Sequence, residues 1–386
     1  MKTVYADNNA TTRVAPEVVE AMLPYFSDLY GNPSSMHLFG GQVEKQVIEA
    51  REKVAQLINC DPSEIVFTSC GTESDSTAIR GTLGSYPEKK HMVTTRVEHP
   101  AVLNLCRHLT KNGYALSELP VDNQGNLTLN ELSEAITDNT AIVSIMYANN
   151  ETGVIFPIEE VGALIKSKGA VFHTDAVQAV GKIPLDMSKS TIDLLSISGH
   201  KLHAPKGIGA LYIRKGTKLT PFILGGHQER GRRAGTENVP YIIGLGKAAE
   251  LALKHMEDEN TRVKALRDRL EKEIITRCSD TRVNGDNNHR LPNTTNISFE
   301  FVEGESILLL LSDKGIAASS GSACTSGSLE PSHVLRAMGI PFTFVHGSLR
   351  LSLSRYNTDE DIDYIIENIP PIINRLREIS PFGKAS

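Results

Sequence analysis

An α/β architecture, with a mostly parallel sheet sandwiched by helices and a smaller C-terminal α/β domain, is what the chain predicts, on three observations. Short apolar runs rich in β-branched residues alternate with helical patterns as far as Ile213. A charged helical pattern, about Ala248 to Arg277, then bridges to the remainder. Finally, 386 residues exceed what one hydrophobic core organises, so the chain should split in two.

The elements follow in order. Val43 to Leu57 carries a helical period, and Ile65 to Thr68 is a short strand that feeds a helix in CGTESDSTAIRGTL. Thr72 and Asp75 are spaced there as a capping box. Met92 to Thr95 and Ala141 to Tyr147 read as buried strands, Ile158 to Lys168 as the next helix, and Ala170 to Thr174 as a further strand. Leu194 to Ile197 and Gly209 to Ile213 close the series, leaving Ser198 to Gly207 as their connecting loop.

Composition removes several function classes. A net charge of −6 gives no basic footprint, so no nucleic-acid partner is expected. No stretch reaches the ~20 apolar residues of a membrane span, and MKTVYADNN lacks the apolar core of a signal peptide. Cys60, Cys70, Cys106, Cys278 and Cys324 form no CxxC pair and leave an odd count, which suits a reducing cytoplasm. There is no internal repeat, low-complexity tract or GxxxxGK[ST] loop.

Three segments carry chemistry. Cys324 lies in SSGSACTSGSLEPSHV, where small residues and glycines surround one thiol; it is either a small buried residue in a turn or a reactive thiol on a pliable loop. Lys201, in SISGHKLHAPKG, sits at a strand end, where a lysine is either part of a solvated basic loop or a Schiff-base amine. His200 and His203 flank it without a third ligand at zinc spacing. Asp175, in HTDAVQ, is either a helix N-cap or the acidic partner of a pyridinium nitrogen, with Gln178 on the same face if the chain turns helically. Gly71 and Thr72 open a helix whose free N–H groups suit a phosphate.

The ordered set GTESD, EHPA, NNETG, HTDAVQ, SGHK, GRRAGT and SSGSACTS resembles the cysteine desulfurases of the NifS and IscS type, in the class V aminotransferase group. The likeness runs from DNNATT at Asp7 to SLSRYNT near the C-terminus. The long cysteine loop is of the group I kind, and GGHQERGRRAGTEN reads closest to NifS. The chain also stops soon after SPF, short of the longer tail of IscS proteins.

The resemblance implies fold type I and pyridoxal 5'-phosphate as cofactor. By position, Lys201 would hold the cofactor, Asp175 its ring nitrogen, Gln178 its ring hydroxyl, and His99 would stack on the ring and relay protons. Asn150 would lie near the ring hydroxyl and substrate. Gly71, Thr72, Ser198, Gly199 and His200 would cradle the phosphate, with Thr236 reaching it from the partner subunit of a homodimer. Arg350 would grip the substrate carboxylate, with Arg355 close by on the same run. The implied reaction takes L-cysteine to L-alanine and leaves the sulfur on Cys324 as a persulfide, for donation to an iron–sulfur scaffold protein of the NifU/IscU type. Nitrogenase-associated cluster assembly is the implied destination, with housekeeping assembly the alternative. Cys324 is also implied as a transient iron–sulfur ligand during handover. A large cofactor-binding domain over 16–257 and a small domain built from 1–15 and 258–386 complete the expectation.

Overall fold

The computed structural model describes residues 2–320 and 331–380. A short strand, Val4–Tyr5 (β1), comes first, followed by Ile65–Thr68 (β2), His91–Thr95 (β3), Ala115–Leu119 (β4), Thr140–Ser144 (β5), Val171–Asp175 (β6), Leu194–Ser198 (β7) and Gly209–Ile213 (β8). These last seven form one sheet in the order β2-β8-β7-β6-β5-β3-β4. The pairings from β4 through β7 are parallel, and β8 runs antiparallel to both β7 and β2. Two reversals cancel, so β2 points the same way as β7. Thr68 and Ser198, the last residues of those strands, both pair with Gly209.

Alternation along the strands sends side chains into two layers. Ile65 and Phe67 join the core that holds Val43, Val47 and Val54 of the helix Leu38–Leu57, whereas Val66 packs with Ala78 of the helix Gly71–Ser85. A helix on each face leaves the central strands buried on both sides, which is why they read as continuous apolar runs.

Thr281–Val283 (β9), Thr294–Phe299 (β10), Ile316–Ala317 (β11) and Ser348–Ser352 (β12) follow. β10 lies between β9 and β12 in an antiparallel sheet, while β1 pairs in parallel with β11. A second core gathers here from Leu270, Phe299, Leu351, the isoleucine face of the helix Asp359–Ile379, and Val4 and Ala6 from the start of the chain.

Two expectations need correction, and one strand was not expected. The single charged helix over Ala248 to Arg277 is broken: Val239–Lys254 and Lys264–Arg277 are separated by Met256–Asp258 and a π-helical turn, Glu259–Val263. That turn buries Glu259, and Asn260 Nδ2 donates to the Lys182 and Met256 carbonyls, 2.8 Å each. The Thr72–Asp75 capping box does not form. Cys70 occupies the N-cap without a side-chain bond, Glu73 Oε2 accepts the Ser69 N–H at 2.8 Å, and Asp75 turns inward. Strand β4 escaped notice because its edge position leaves it half-exposed and polar. Among the described residues no helix is long and apolar enough to cross a membrane.

Candidate active site

The parallel strands end along one edge of the sheet, where ligands of open α/β sheets bind. A cavity of about 320 Å³ lies there, and Gly71, Thr72, His99, Asn150, Asp175, Gln178, Ser198, His200, Lys201 and Arg350 all line it. Gly199 is buried beside it in the turn Gly199–Lys201. Thr236 is elsewhere, lining a separate cavity of about 130 Å³ with Ser69, Glu229 and Arg233. Cys324, expected as nucleophile and transient iron ligand, lies outside the described residues.

Lys201 sits between β7 and β8, and its Nζ donates to the carbonyls of Asn9 (2.5 Å) and Ala10 (2.7 Å). Asp175 ends β6 and is not a helix cap; its carboxylate accepts the Val177 N–H at 2.9 Å, and a turn follows. Burial raises its pKa, against the lowering influence of His99 and Lys201. His99 caps the helix Pro100–Thr110, with Nδ1 accepting the Ala101 N–H at 3.1 Å, so the neutral ring carries its proton on Nε2. Burial lowers the His99 pKa, which favours that neutral ring.

At the phosphate-cradle end, Gly71 starts its helix beside Ser198. A Cβ on Gly71 would lie 2.9 Å from Val177 Cγ2 and 3.4 Å from Ser198 Cβ, so this approach admits only glycine without adjustment. The first N–H groups of the helix have no intrahelical acceptors and point a partial positive charge into the cavity. His200 Nδ1 meets Thr11 Oγ1 at 3.1 Å, and burial brings the ring pKa down to about 4.

Arg350 comes from β12 and is 2 % exposed. Its Nη2 donates to Asp7 Oδ1 at 2.7 Å and its Nη1 to the Asn150 carbonyl at 2.9 Å, while Nε is buried without a partner among the described residues. Arg355 does not line this cavity; it borders a smaller space behind Lys201.

Several residues of the site were not singled out from the sequence. Asn9 is the largest omission, since it bonds Lys201, Gln178, Lys182, Asn150, Thr294 and Ser352 together. Its signal was the polar cluster DNNATT, an unusual composition for a segment buried between two cores. Asp75 also lines the cavity, with Oδ1 3.6 Å from His173 Nε2. Burial and then the Asp175 charge raise its pKa well above the usual carboxylate range. His173 is fully buried between Ser144 and Ser196, and burial brings it down to about 3. Glu98 is buried beneath His99 with its pKa pushed to about 8 by desolvation. Such carboxylates pass for ordinary surface residues in a sequence.

Similarity to known proteins agrees with this geometry. Residues 4–365 match the family Aminotransferase class-V. A cysteine desulfurase of Trichormus azollae is 63% identical over 382 residues, covering 99% of this chain and 96% of that protein. The cysteine desulfurase NifS of Azotobacter vinelandii is 60% identical over 383 residues, covering 99% and 95%. A solved NifS-like protein superimposes with a TM-score of 0.91 at 39% identity, covering 97% of this chain and all of that one. With that family matched over nearly its whole length and its sheet-edge cavity lined by lysine, aspartate and arginine, the chain belongs to the class-V aminotransferases.

Proposed function

We infer that the chain is a pyridoxal phosphate-dependent cysteine desulfurase, which converts L-cysteine to L-alanine and passes the sulfur to Cys324 as a persulfide. The observation that carries this reading is the meeting of Lys201, Asp175 and Arg350 in one cavity. The cofactor fits what the cavity offers: a buried carboxylate for a protonated ring nitrogen, a helix N-terminus for a phosphate, and a glycine where a Cβ would collide. When bound, it supplies the electron sink for the substrate α-carbon.

The chain's own residues do the rest. Arg350 takes the substrate carboxylate through N–H groups that Asp7 and Asn150 leave over, in an orientation fixed by those two partners. Lys201, once its amine is released, is the base for the α-proton, because the Asn9 and Ala10 carbonyls hold that amine in the cavity. His99, neutral with its proton on Nε2, stacks and passes protons. Cys324 receives the sulfur as a thiolate. Burial pushes the thiols of Cys60 and Cys106 up to about 12 and raises that of Cys278, which leaves them poor competitors.

The protein is proposed as a homodimer. Leu23, Phe26, Tyr30, Met36, Leu38 and Leu224 are exposed apolar side chains that a partner subunit would cover. Thr236 would then serve the partner's phosphate site. The second core, drawn from Val4, Ala6 and residues between Val263 and Leu376, supports a small domain of 1–15 with 258–386 beside a large one of 16–257, while Leu291 and Val334 to Val345 pack into the large core. A cytoplasmic location, consistent with free Cys60, Cys70, Cys106 and Cys278, and a NifU/IscU-type scaffold as sulfur acceptor complete the proposal. Likeness to a NifS favours nitrogenase-associated cluster assembly.

The test is substitution with sulfur tracking. Lys201→Ala is expected to lose both alanine release and the absorption of the bound cofactor; release at the parent rate refutes the reading. Mass spectrometry after a single turnover should find sulfane sulfur on Cys324. Its appearance instead on Cys70, which among the described cysteines lines the cavity, would overturn the transfer step.

A further inference from the structure

Lys182 has no place in the chemistry above, yet its amine is buried against the site. The residue is 7 % exposed, and Nζ donates to Gln178 Oε1 at 2.8 Å and to Asn9 Oδ1 at 3.2 Å. Burying an amine costs free energy that a methionine of similar shape would not incur. Asn9 Oδ1 does not require it, because Asn293 Nδ2 also donates there at 3.1 Å. Gln178 Oε1 does: Lys182 is its donor among the described residues.

The amide of Gln178 is thereby fixed. Its oxygen faces Lys182, and its nitrogen donates to the Asn9 carbonyl at 3.0 Å. A reversed amide would set N–H groups against the amine and oxygen against a carbonyl. One N–H remains, on a side chain that lines the cavity. We propose that Lys182 is a positioning residue which, by occupying the oxygen of Gln178, commits that amide to donating toward the cofactor's ring hydroxyl. The proposal rests on the assignment of Gln178 to that hydroxyl. A donor there favours the deprotonated ring oxygen; an acceptor would retain its proton.

The broken helix described above supports the arrangement. The π turn buries Glu259 on the space it shares with Lys182, and Asn260 holds the Lys182 carbonyl at 2.8 Å. Burial and the nearby Lys201 lower the Lys182 pKa to about 7, while Glu259 acts in the opposite direction. Charged or neutral, the amine keeps an N–H for Gln178.

A double-mutant cycle on the reconstituted holoenzyme tests this, read by the bound cofactor's absorption at fixed pH and by pyridoxal phosphate affinity of the cofactor-free protein. Lys182→Met is expected to move the balance of the two absorption bands toward the protonated ring oxygen by about fivefold, the scale of one hydrogen bond. Gln178→Leu should produce the same shift, and the double variant no more than either alone. Lys182→Gln, which retains a donor, should keep the parent bands. If Gln178→Leu shifts the bands and Lys182→Met does not, the inference fails and the assignment of Gln178 stands. If Gln178→Leu leaves them unchanged, that assignment fails and the inference with it. Additive shifts, or a lowered melting temperature of the cofactor-free protein with parent bands, reduce Lys182 to a packing residue and overturn the proposal. Should Lys182→Met not fold, Lys182→Leu also lacks a donor and is read in the same way.

Discussion

Arg350→Ala removes the one guanidinium that lines the cavity while leaving Lys201, Asp175 and the phosphate cradle intact. In the parent, Asp7 and the Asn150 carbonyl each use one N–H, so among the described residues one N–H on each terminal nitrogen remains for a carboxylate. Hydrogen bonds to a charged group contribute about 1.5–3 kcal/mol, which corresponds to roughly a 10- to 150-fold weaker capture of cysteine. Arg350→Lys keeps a point charge but not the planar fork, so its loss should be the smaller, about 10-fold. Steady-state alanine formation over a range of cysteine concentrations gives KM and kcat, and the visible absorption gives cofactor occupancy in the same samples. The expected result is a raised KM with full occupancy. Unchanged KM with a lowered kcat would refute the assignment of the carboxylate to Arg350. Asp7→Asn, which leaves the guanidinium but removes its ion partner, should raise KM less than Arg350→Ala.

Three other outcomes are expected. Gly71→Ala should weaken pyridoxal phosphate binding by about 1–3 kcal/mol, because the new methyl meets Val177 and Ser198; equilibrium titration of the cofactor-free protein measures it, and unaltered affinity contradicts the cradle. His173 is buried neutral, with its pKa brought down to about 3 from an unfolded value near 6.5. Its stabilising contribution is therefore complete above pH 6.5 and is lost as pH falls toward 3, on the order of 2 kcal/mol by about pH 5. Denaturant unfolding of His173→Gln should show that much less acid sensitivity; an identical pH dependence would mean the ring is protonated in the fold. Arg51→Met strands the buried Glu229, which pairs with Arg51 at 2.7 Å, so chemical unfolding should register a loss of about 3–5 kcal/mol. Adding Glu229→Gln should recover part of it, and a neutral single substitution would contradict the pairing.

What could be read in the residues, and what could not, divides along physical lines. Strands β2 and β8 were read to the residue because they are buried on both faces and bounded by polar or turn residues, so that hydrophobicity alone marks them. Their edge neighbour β4 has one solvated side, which mixes Ser117 and Glu118 into the pattern. Lys201, Asp175 and Arg350 stood at strand ends or in recognisable motifs, whereas Asn9 and Asp75 draw their importance from partners far away along the chain. The π turn at Glu259 has no local signature either. It accompanies a bond from Asn260 to the Lys182 carbonyl, and a helical period cannot foresee an inserted residue.

Asn9 holds a further consequence for how the protein comes to exist. Its carbonyl receives Lys201, 192 residues later, and its N–H meets Ser352 Oγ, 343 residues later. Closing such loops carries an entropic cost that local contacts cannot repay in advance, so these bonds form late in folding. A chain still emerging from the ribosome without β12 has its lysine and aspartate but lacks both Arg350 and the Ser352 hydroxyl that receives the Asn9 N–H. Tight capture of the substrate thus certifies a finished molecule. Truncated or half-folded chains would lack the guanidinium that receives the cysteine carboxylate, which keeps sulfur release confined to intact protein.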